Sequence, residues 1–416
     1  MRQLDLLTDY PPGKHKPPPT SSSQPETSPN TPLDLLQDDI TYHEIESHLE
    51  KYLAEEVARF TLPDIKPIID SDANSKWRFS SASQKCLRRG LTEDATRFAL
   101  AYNAVDSAGF WQRLPIVGFE DIGIANPAGL ALVLAAARSK PLRQRIGGDA
   151  LIIPYLIKTL CEGNKDRTTT DFMIHLWSAP LKPREYSLLK KATLQELQEI
   201  ALYERNTSII RTAALWLLWG SDKHENKNLP LRRGSREMFT ETIEKMKLSS
   251  IIRYIVLRGL IGCSRYPYSI VYPSIWQMWE KSAYSGVVKA SLPEYDYIGG
   301  LPDFTYDMYT REGKASFGYF LKACAPVREW LSGKGLVGIE EAKAAVGAAT
   351  FICEGGQLGK KLDFEGAAEI YHKTEGHDYR KAGLSLEDGR ELARLIQENH
   401  AVLRQARQVV VEGNHR

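Results

Sequence analysis

The amino-acid sequence predicts a mainly α-helical protein: a multi-helix bundle behind a disordered Pro/Ser-rich tail, followed by a loop-rich part that turns helical again. Three observations predict it. Apolar residues between positions 40 and 265 recur at helical rather than alternating spacing. Gly and Pro punctuate the chain between those stretches instead of marking tight hairpins. The first 39 residues hold many Pro and Ser and little that could be buried. The expected organisation is a tail over 1–39, a helical domain over 40–265, and a loop-rich segment with a C-terminal helical subdomain over 266–416.

In chain order, residues 8–31 (TDYPPGKHKPPPTSSSQPETSPNT) cannot bury enough surface to offset their ordering entropy. Thr31-Pro32 suits an N-cap and first helical residue. Ile45, Leu49, Tyr52, Leu53, Val57 and Phe60 then repeat at helical spacing, and Pro63 stops that helix. From residue 80 to about 260 the pattern stays helical, as in Ala128–Ala137, Leu151–Leu160, Leu188–Leu202 and Ile251–Leu260. Several stretches are apolar on most faces, which suits helices inside a stack. Between Tyr266 and Tyr309 the abundance of Tyr, Pro, Gly and Trp predicts long loops with short elements. Leu392, Leu395, Ile396, Val402, Leu403, Ala406, Val409 and Val410 form one apolar stripe, started by a capping-box-like Ser385 and Asp388.

Composition excludes several classes. Lys plus Arg number 54 against 52 acids, so any nucleic-acid contact must come from local patches. The five cysteines are scattered, without the short spacing of a zinc or redox motif, so free thiols in a reducing compartment are expected. The most apolar run, Ile209 to Trp219, contains an Arg and is too short for a membrane span. With a polar, Pro-rich start, a cytoplasmic protein without membrane contact is expected. A P-loop requires G-x-x-x-x-G-K-[ST]. The nearest approach, GGQLGKK at 355–361, has glycines one residue too close and Lys361 in place of the hydroxyl. No cofactor and no metal are expected.

Two segments stand out together. Ser83–Gly90 (SQKCLRRG) is followed by Glu93-Asp94-Ala95, and Arg113–Pro127 (RLPIVGFEDIGIANP) by an alanine-rich helix. Over residues 80–175 this order and spacing resemble the helical region C-terminal to the ATPase module in the replication-associated recombination family (RarA/MgsA, and the Werner-interacting ATPase in eukaryotes). Glu120, Asp121, Ile122, Gly123, Asn126 and Pro127 carry the signature. The resemblance implies a collar-like fold that supports homo-oligomers and performs no chemistry. Physically the signature is a helix end: Gly123 suits a left-handed C-cap and Asn126-Pro127 starts the next helix. Glu120 and Asp121 lack the partner that paired catalytic carboxylates need. They are expected instead to bond neighbouring helix N-termini or Arg113 and Arg88.

Gln3, Leu4, Asp5, Leu6 and Leu7 resemble the bacterial sliding-clamp-binding pentapeptide Gln-Leu-Ser/Asp-Leu-Phe, with Leu7 in the final Phe position. Burying two or three Leu side chains in clamp clefts is worth roughly 1.5–3 kcal/mol each before ordering costs. Leu33-Asp34-Leu35-Leu36 repeats the pattern without Gln and reads more readily as a helix start packing on the core.

Basic clusters fall at Arg88-Arg89, at Arg138–Arg145 (Arg138, Lys140, Arg143, Arg145), and at Arg232, Arg233 and Arg236. The first two are the expected nucleic-acid contacts, the second foremost because it holds four cations and no acid. Asp303, Asp307 and Glu312 could hold a metal, although a loop is the plainer reading. His372 and His377 are poorly spaced for zinc. Trp216 and Trp219 are expected in the core, Trp276 and Trp279 nearer the surface.

The function these features imply is a non-enzymatic accessory protein of DNA replication or repair, docked on the sliding clamp and presenting a collar-like body to DNA or a fork protein. Two alternatives stay open: a phage- or plasmid-type helical module that modulates a host replisome, and a metal-dependent nuclease using the carboxylates at 303–312.

Overall fold

The computed structural model describes residues 40–66, 68, 75–263 and 266–413. The clamp-like peptide, the Thr31-Pro32 start and the Leu33–Leu36 repeat lie outside these residues. The described chain is mainly helical, and none of its helices is long and apolar enough to cross a membrane.

The first fourteen helices are α1 (Tyr42–Arg59), α2 (Ser75–Arg89), α3 (Thr92–Val105), α4 (Ser107–Val117), α5 (Pro127–Arg138), α6 (Lys140–Arg145), α7 (Asp149–Glu162), α8 (Thr168–Ser178), α9 (Pro183–Lys191), α10 (Leu194–Leu202), α11 (Ser208–Trp219), α12 (Arg236–Lys245), α13 (Ser250–Gly262) and α14 (Tyr268–Glu280). Strands β1 (Ser285–Lys289), β2 (Tyr297–Ile298) and β3 (Leu301–Pro302) follow. Helices α15 (Arg311–Ala323), α16 (Ala325–Gly333) and α17 (Ile339–Thr350), strand β4 (Lys360–Phe364), and helices α18 (Ala367–Lys381), α19 (Leu386–Glu398) and α20 (His400–Gly413) complete the order.

Side-chain caps decide where many helices begin. Thr41 and Glu44 form a reciprocal capping box at α1, whose Ile45, Leu49, Leu53 and Val57 are buried. Asn126 caps α5 by accepting from the Gly129 amide, with Pro127 in the first turn. Thr193 with Glu196 starts a new helix inside the stretch 188–202, which is therefore two helices, α9 and α10. The expected C-terminal stripe is likewise split: Ser385 caps α19 as anticipated, but the helix ends at Glu398 and α20 begins at His400.

The apolar residues form two cores. The larger spans α1 to α14 and takes in Phe304, Tyr306, Phe364 and Val411 from farther along the chain. The smaller joins α15 to α20 through residues such as Phe317, Val346, Leu392 and Leu403. The larger core does not stop at residue 265. Instead of opening a loop region, α14 packs against α11 and α13 and buries Tyr272, Ile275 and Trp276. Its apolar residues are placed for a helix, and the Pro273 within it misleads a reading by breakers. Trp276 is accordingly core and not surface, as is Trp216.

Strands are sparse. β1 pairs antiparallel with β4, β2 with β3, and Lys165 adds a single parallel bridge to Lys361 of β4. The would-be P-loop at 355–361 therefore runs from a helix end into β4.

Candidate functional site

Two helices continue into a widened turn of π geometry that holds a buried carboxylate. α4 runs into Gly118–Ile122, which carries Glu120 and Asp121; α17 runs into Phe351–Gly355, which carries Glu354. Such widened turns re-aim side chains. Here both are aimed at α2, whose Gln84, Lys85, Arg88 and Arg89 occupy little more than one turn.

Asp121 is fully buried. It accepts from Arg88 Nε at 2.8 Å and Nη2 at 3.1 Å, from Arg167 Nη1 at 2.7 Å and from Gln84 Nε2 at 2.8 Å. Burial pushes its carboxyl up, but Arg88 and Arg167 with the hydrogen bonds outweigh it and hold it below the usual carboxylate range. Glu120 accepts from Arg113 Nη2 at 2.9 Å, Gln84 Nε2 at 2.8 Å and the Tyr268 hydroxyl at 2.8 Å. Gly123 then turns the chain with φ +50°, and a side chain there would meet the Asp166 carboxylate at 2.4 Å.

The second focus is reached from the same turn of α2. Glu354 is gripped by both terminal nitrogens of Arg407 and by His400 Nε2 at 2.8 Å. Burial opposes its charge, yet Arg407 and His400 drive its carboxyl far below the usual range. Lys85 meets Asp307 at 2.8 Å, and Arg404 meets Asp303 at 2.8 Å. Arg88 also donates to the Gly355 carbonyl, while Arg89 donates to the Glu354 carbonyl at 3.0 Å and lies 3.9 Å from the centre of the Phe304 ring. One turn of α2 thus ties the larger core to α20 and to the 303–307 segment.

This arrangement corrects the expected nucleic-acid surface. Arg88 and Arg89 are buried and consumed by these contacts, and Arg143 is buried against Asp149 and Trp111. Arg138 and Arg145 are exposed but paired with Glu46 and Glu50, acids of α1 that a local window cannot reveal. Of that set, Lys140 is exposed with no ion pair among the described residues. The contacts expected from Arg113 and Arg88 to Glu120 and Asp121 are present. The sequence reading did not find Gln84, Arg167, His400 or Arg407; their partners lie between 29 and 53 residues away, and nothing in local spacing marks them.

The chemistry open to these groups is narrow. Asp303 and Asp307 do not converge on an open metal site with Glu312: the first two are buried and held by Arg404 and Lys85. Asp303, Glu354 and His400 do bring three ligand atoms within 4.8 Å of one another, and Asp303 Oδ1 has no hydrogen-bond partner. A hard cation does not fit, because the guanidinium groups of Arg404 and Arg407 already neutralise both carboxylates. The hollow beside Gln84 and Arg113 measures about 20 Å³, room for one water and not for a substrate. Elsewhere, burial pushes Asp171 up to about 7 and Lys165 down to about 8, the latter donating to the carbonyls of Leu160, Cys161 and Gly163 at the end of α7.

These features define a helical protein with a charge-locked centre. No protein-family model, no curated protein and no solved structure matches the chain.

Proposed function

We propose that the protein is a non-enzymatic accessory of DNA replication or repair, cytoplasmic, that docks on the sliding clamp through Gln3–Leu7 and offers its collar-like helical body to DNA or a fork protein. The observation that carries the non-enzymatic part is the state of the buried acids. Asp121, Glu354, Asp303 and Asp307 each face a cation at hydrogen-bonding distance, so their charges are spent on holding elements together. The resemblance to the recombination-family collar supports the replication setting, since its signature acids act here as structural ties and not as reactive groups. The clamp peptide rests on the sequence alone.

The test is a pull-down of the full chain on immobilised bacterial sliding clamp, with a variant carrying Leu4→Ala, Leu6→Ala and Leu7→Ala. Retention of the parent and loss of the variant is the expected result; equal retention, or none for either, removes the clamp reading. Incubation of the pure protein with labelled DNA and magnesium or manganese checks the nuclease alternative, and cleavage would overturn the non-enzymatic assignment.

A further inference from the structure

The described chain begins at Ile40, and Ile40 stands in the wall of a hollow. The hollow measures about 280 Å³, against the roughly 30 Å³ share of one water molecule. Its other walls come from three helices: Tyr42 and Ile45 of α1, Glu244 of α12, and Arg253, Tyr254 and Leu257 of α13. None of these residues belongs to the charge-locked centre.

The start of α1 sets how the chain arrives there. Thr41 is the N-cap and forms a capping box with Glu44, so Ile40 stands one residue before the cap and Ile45 one residue beyond Glu44. These are the two positions of a hydrophobic staple, which fixes the angle at which a chain enters its helix. Ile40 is half-buried, Ile45 is buried, and both line the hollow. Residues ahead of Ile40 are therefore delivered to its mouth.

The hollow also carries an unmet polar group. Tyr254 is fully buried, and its ring centre lies 5.4 Å from that of Tyr42. Its hydroxyl has no hydrogen-bond partner among the described residues. Leaving a buried hydroxyl unpaired is costly, so the group points to an acceptor supplied from beyond them.

Residues 33–36, which lie outside the described residues, read Leu-Asp-Leu-Leu and end four positions before Ile40. Four residues span at most about 14 Å, so Leu36 stays within that distance of the wall whatever path the chain takes. Leu33, Leu36 and Ile40 fall at the spacing of one helix face, and Ile40 is already in place. The same four residues occur at positions 4–7, but Leu7 is about eight times as far from Ile40 along the chain as Leu36. Loop-closure entropy makes its local concentration at the hollow on the order of twentyfold lower.

We propose that this hollow seats the chain's own Leu33–Leu36, with Leu33 and Leu36 against Ile45 and Leu257 and an oxygen of the segment accepting from the Tyr254 hydroxyl. The body thereby sequesters one of two identical Leu-Asp-Leu-Leu peptides. The seated copy cannot compete with residues 4–7 for a partner's cleft, whether or not that partner is the clamp.

Hydrogen exchange of the full chain, read by mass spectrometry, tests the seat. The amides of residues 34–39 should exchange about tenfold or more slowly than in a synthetic peptide of residues 31–39. Leu33→Ala with Leu36→Ala should remove that protection. From the wall, Tyr254→Phe deletes only the hydroxyl and should reduce the protection about two- to tenfold. Leu257→Lys, at a half-buried wall position, should abolish it, with circular dichroism reporting that the body stays folded. The proposal is overturned if 34–39 exchange at the peptide rate in the parent, or if their protection survives both wall variants. It is overturned as well if the protection is lost on changing Leu4, Leu6 and Leu7 to Ala, which would seat the other peptide. Protection that rises with protein concentration would seat a second copy and overturn it too. All of these outcomes are read without the clamp, so this proposal and the clamp reading fail separately.

Discussion

Asp121→Asn is the substitution that most directly tests the charge-locked centre. The replacement keeps the volume of the side chain, so no cavity forms and the loss reports the charge together with the hydrogen bonds that an amide nitrogen, a donor facing donors, cannot accept. It removes the countercharge from Arg88, which is buried, and from Arg167, whose guanidinium is 2.7 Å from the same oxygen. Removing one partner of a buried pair costs about 3–5 kcal/mol, chiefly through the uncompensated charge left behind. Urea unfolding followed by tryptophan fluorescence should show a loss of that size in the first transition. The pH dependence carries a second signature. The folded carboxyl lies below its ordinary value of 3.8, so its stabilisation is present above that value and lost as pH falls through the folded one. The gap between parent and variant should be full near neutrality and shrink below about pH 4. A loss under about 1 kcal/mol at neutral pH would refute the reasoning, because it would mean that both arginines are neutralised elsewhere.

Other expectations follow from the same geometry. Asp171 has a folded carboxyl pushed by burial from 3.8 up to about 7, so its contribution to stability is present below the unfolded value and lost as pH rises through about 7. Asp171→Asn should therefore stabilise the protein by on the order of 2–4 kcal/mol above about pH 8 and by almost nothing near pH 4, read from urea midpoints. Gly123→Ala combines a positive φ with a clash against Asp166 and should cost about 3 kcal/mol in the same assay. Glu354→Ala strips the partner from Arg407 and His400, so amide exchange should accelerate first across α20; uniform exchange would contradict the link.

Much of the helical architecture was legible because burial leaves a periodic trace. Ile45, Leu49, Leu53 and Val57 announce α1, and Asn126-Pro127 announces α5, by rules that act within a few residues. The Glu120 and Asp121 contacts to Arg113 and Arg88 were legible for another reason: the acids and arginines sit within one ordered motif, at separations of 7 and 33 residues. The rest of the site was hidden because a charged side chain looks alike in sequence whether it is solvated or buried. Arg88-Arg89 reads as a surface patch until Asp121 and the 354–355 backbone, the latter more than 260 residues away, arrive to bury it. Local sequence favoured Arg138–Arg145, which holds no acid; only the fold shows that α1 neutralises Arg138 and Arg145.

The grip of α20 on acids made much earlier sets the timetable of biosynthesis. Asp303 emerges 101 residues before Arg404, and Glu354 emerges 53 residues before Arg407. A nascent chain that has completed α17 and the turn after it therefore carries these acids without the guanidinium groups that neutralise them, and Phe304 and Tyr306 cannot settle beside bare carboxylates. Assembly of the centre waits on translation of residues 400–407, so a ribosome stalled upstream displays an unsealed, protease-sensitive intermediate.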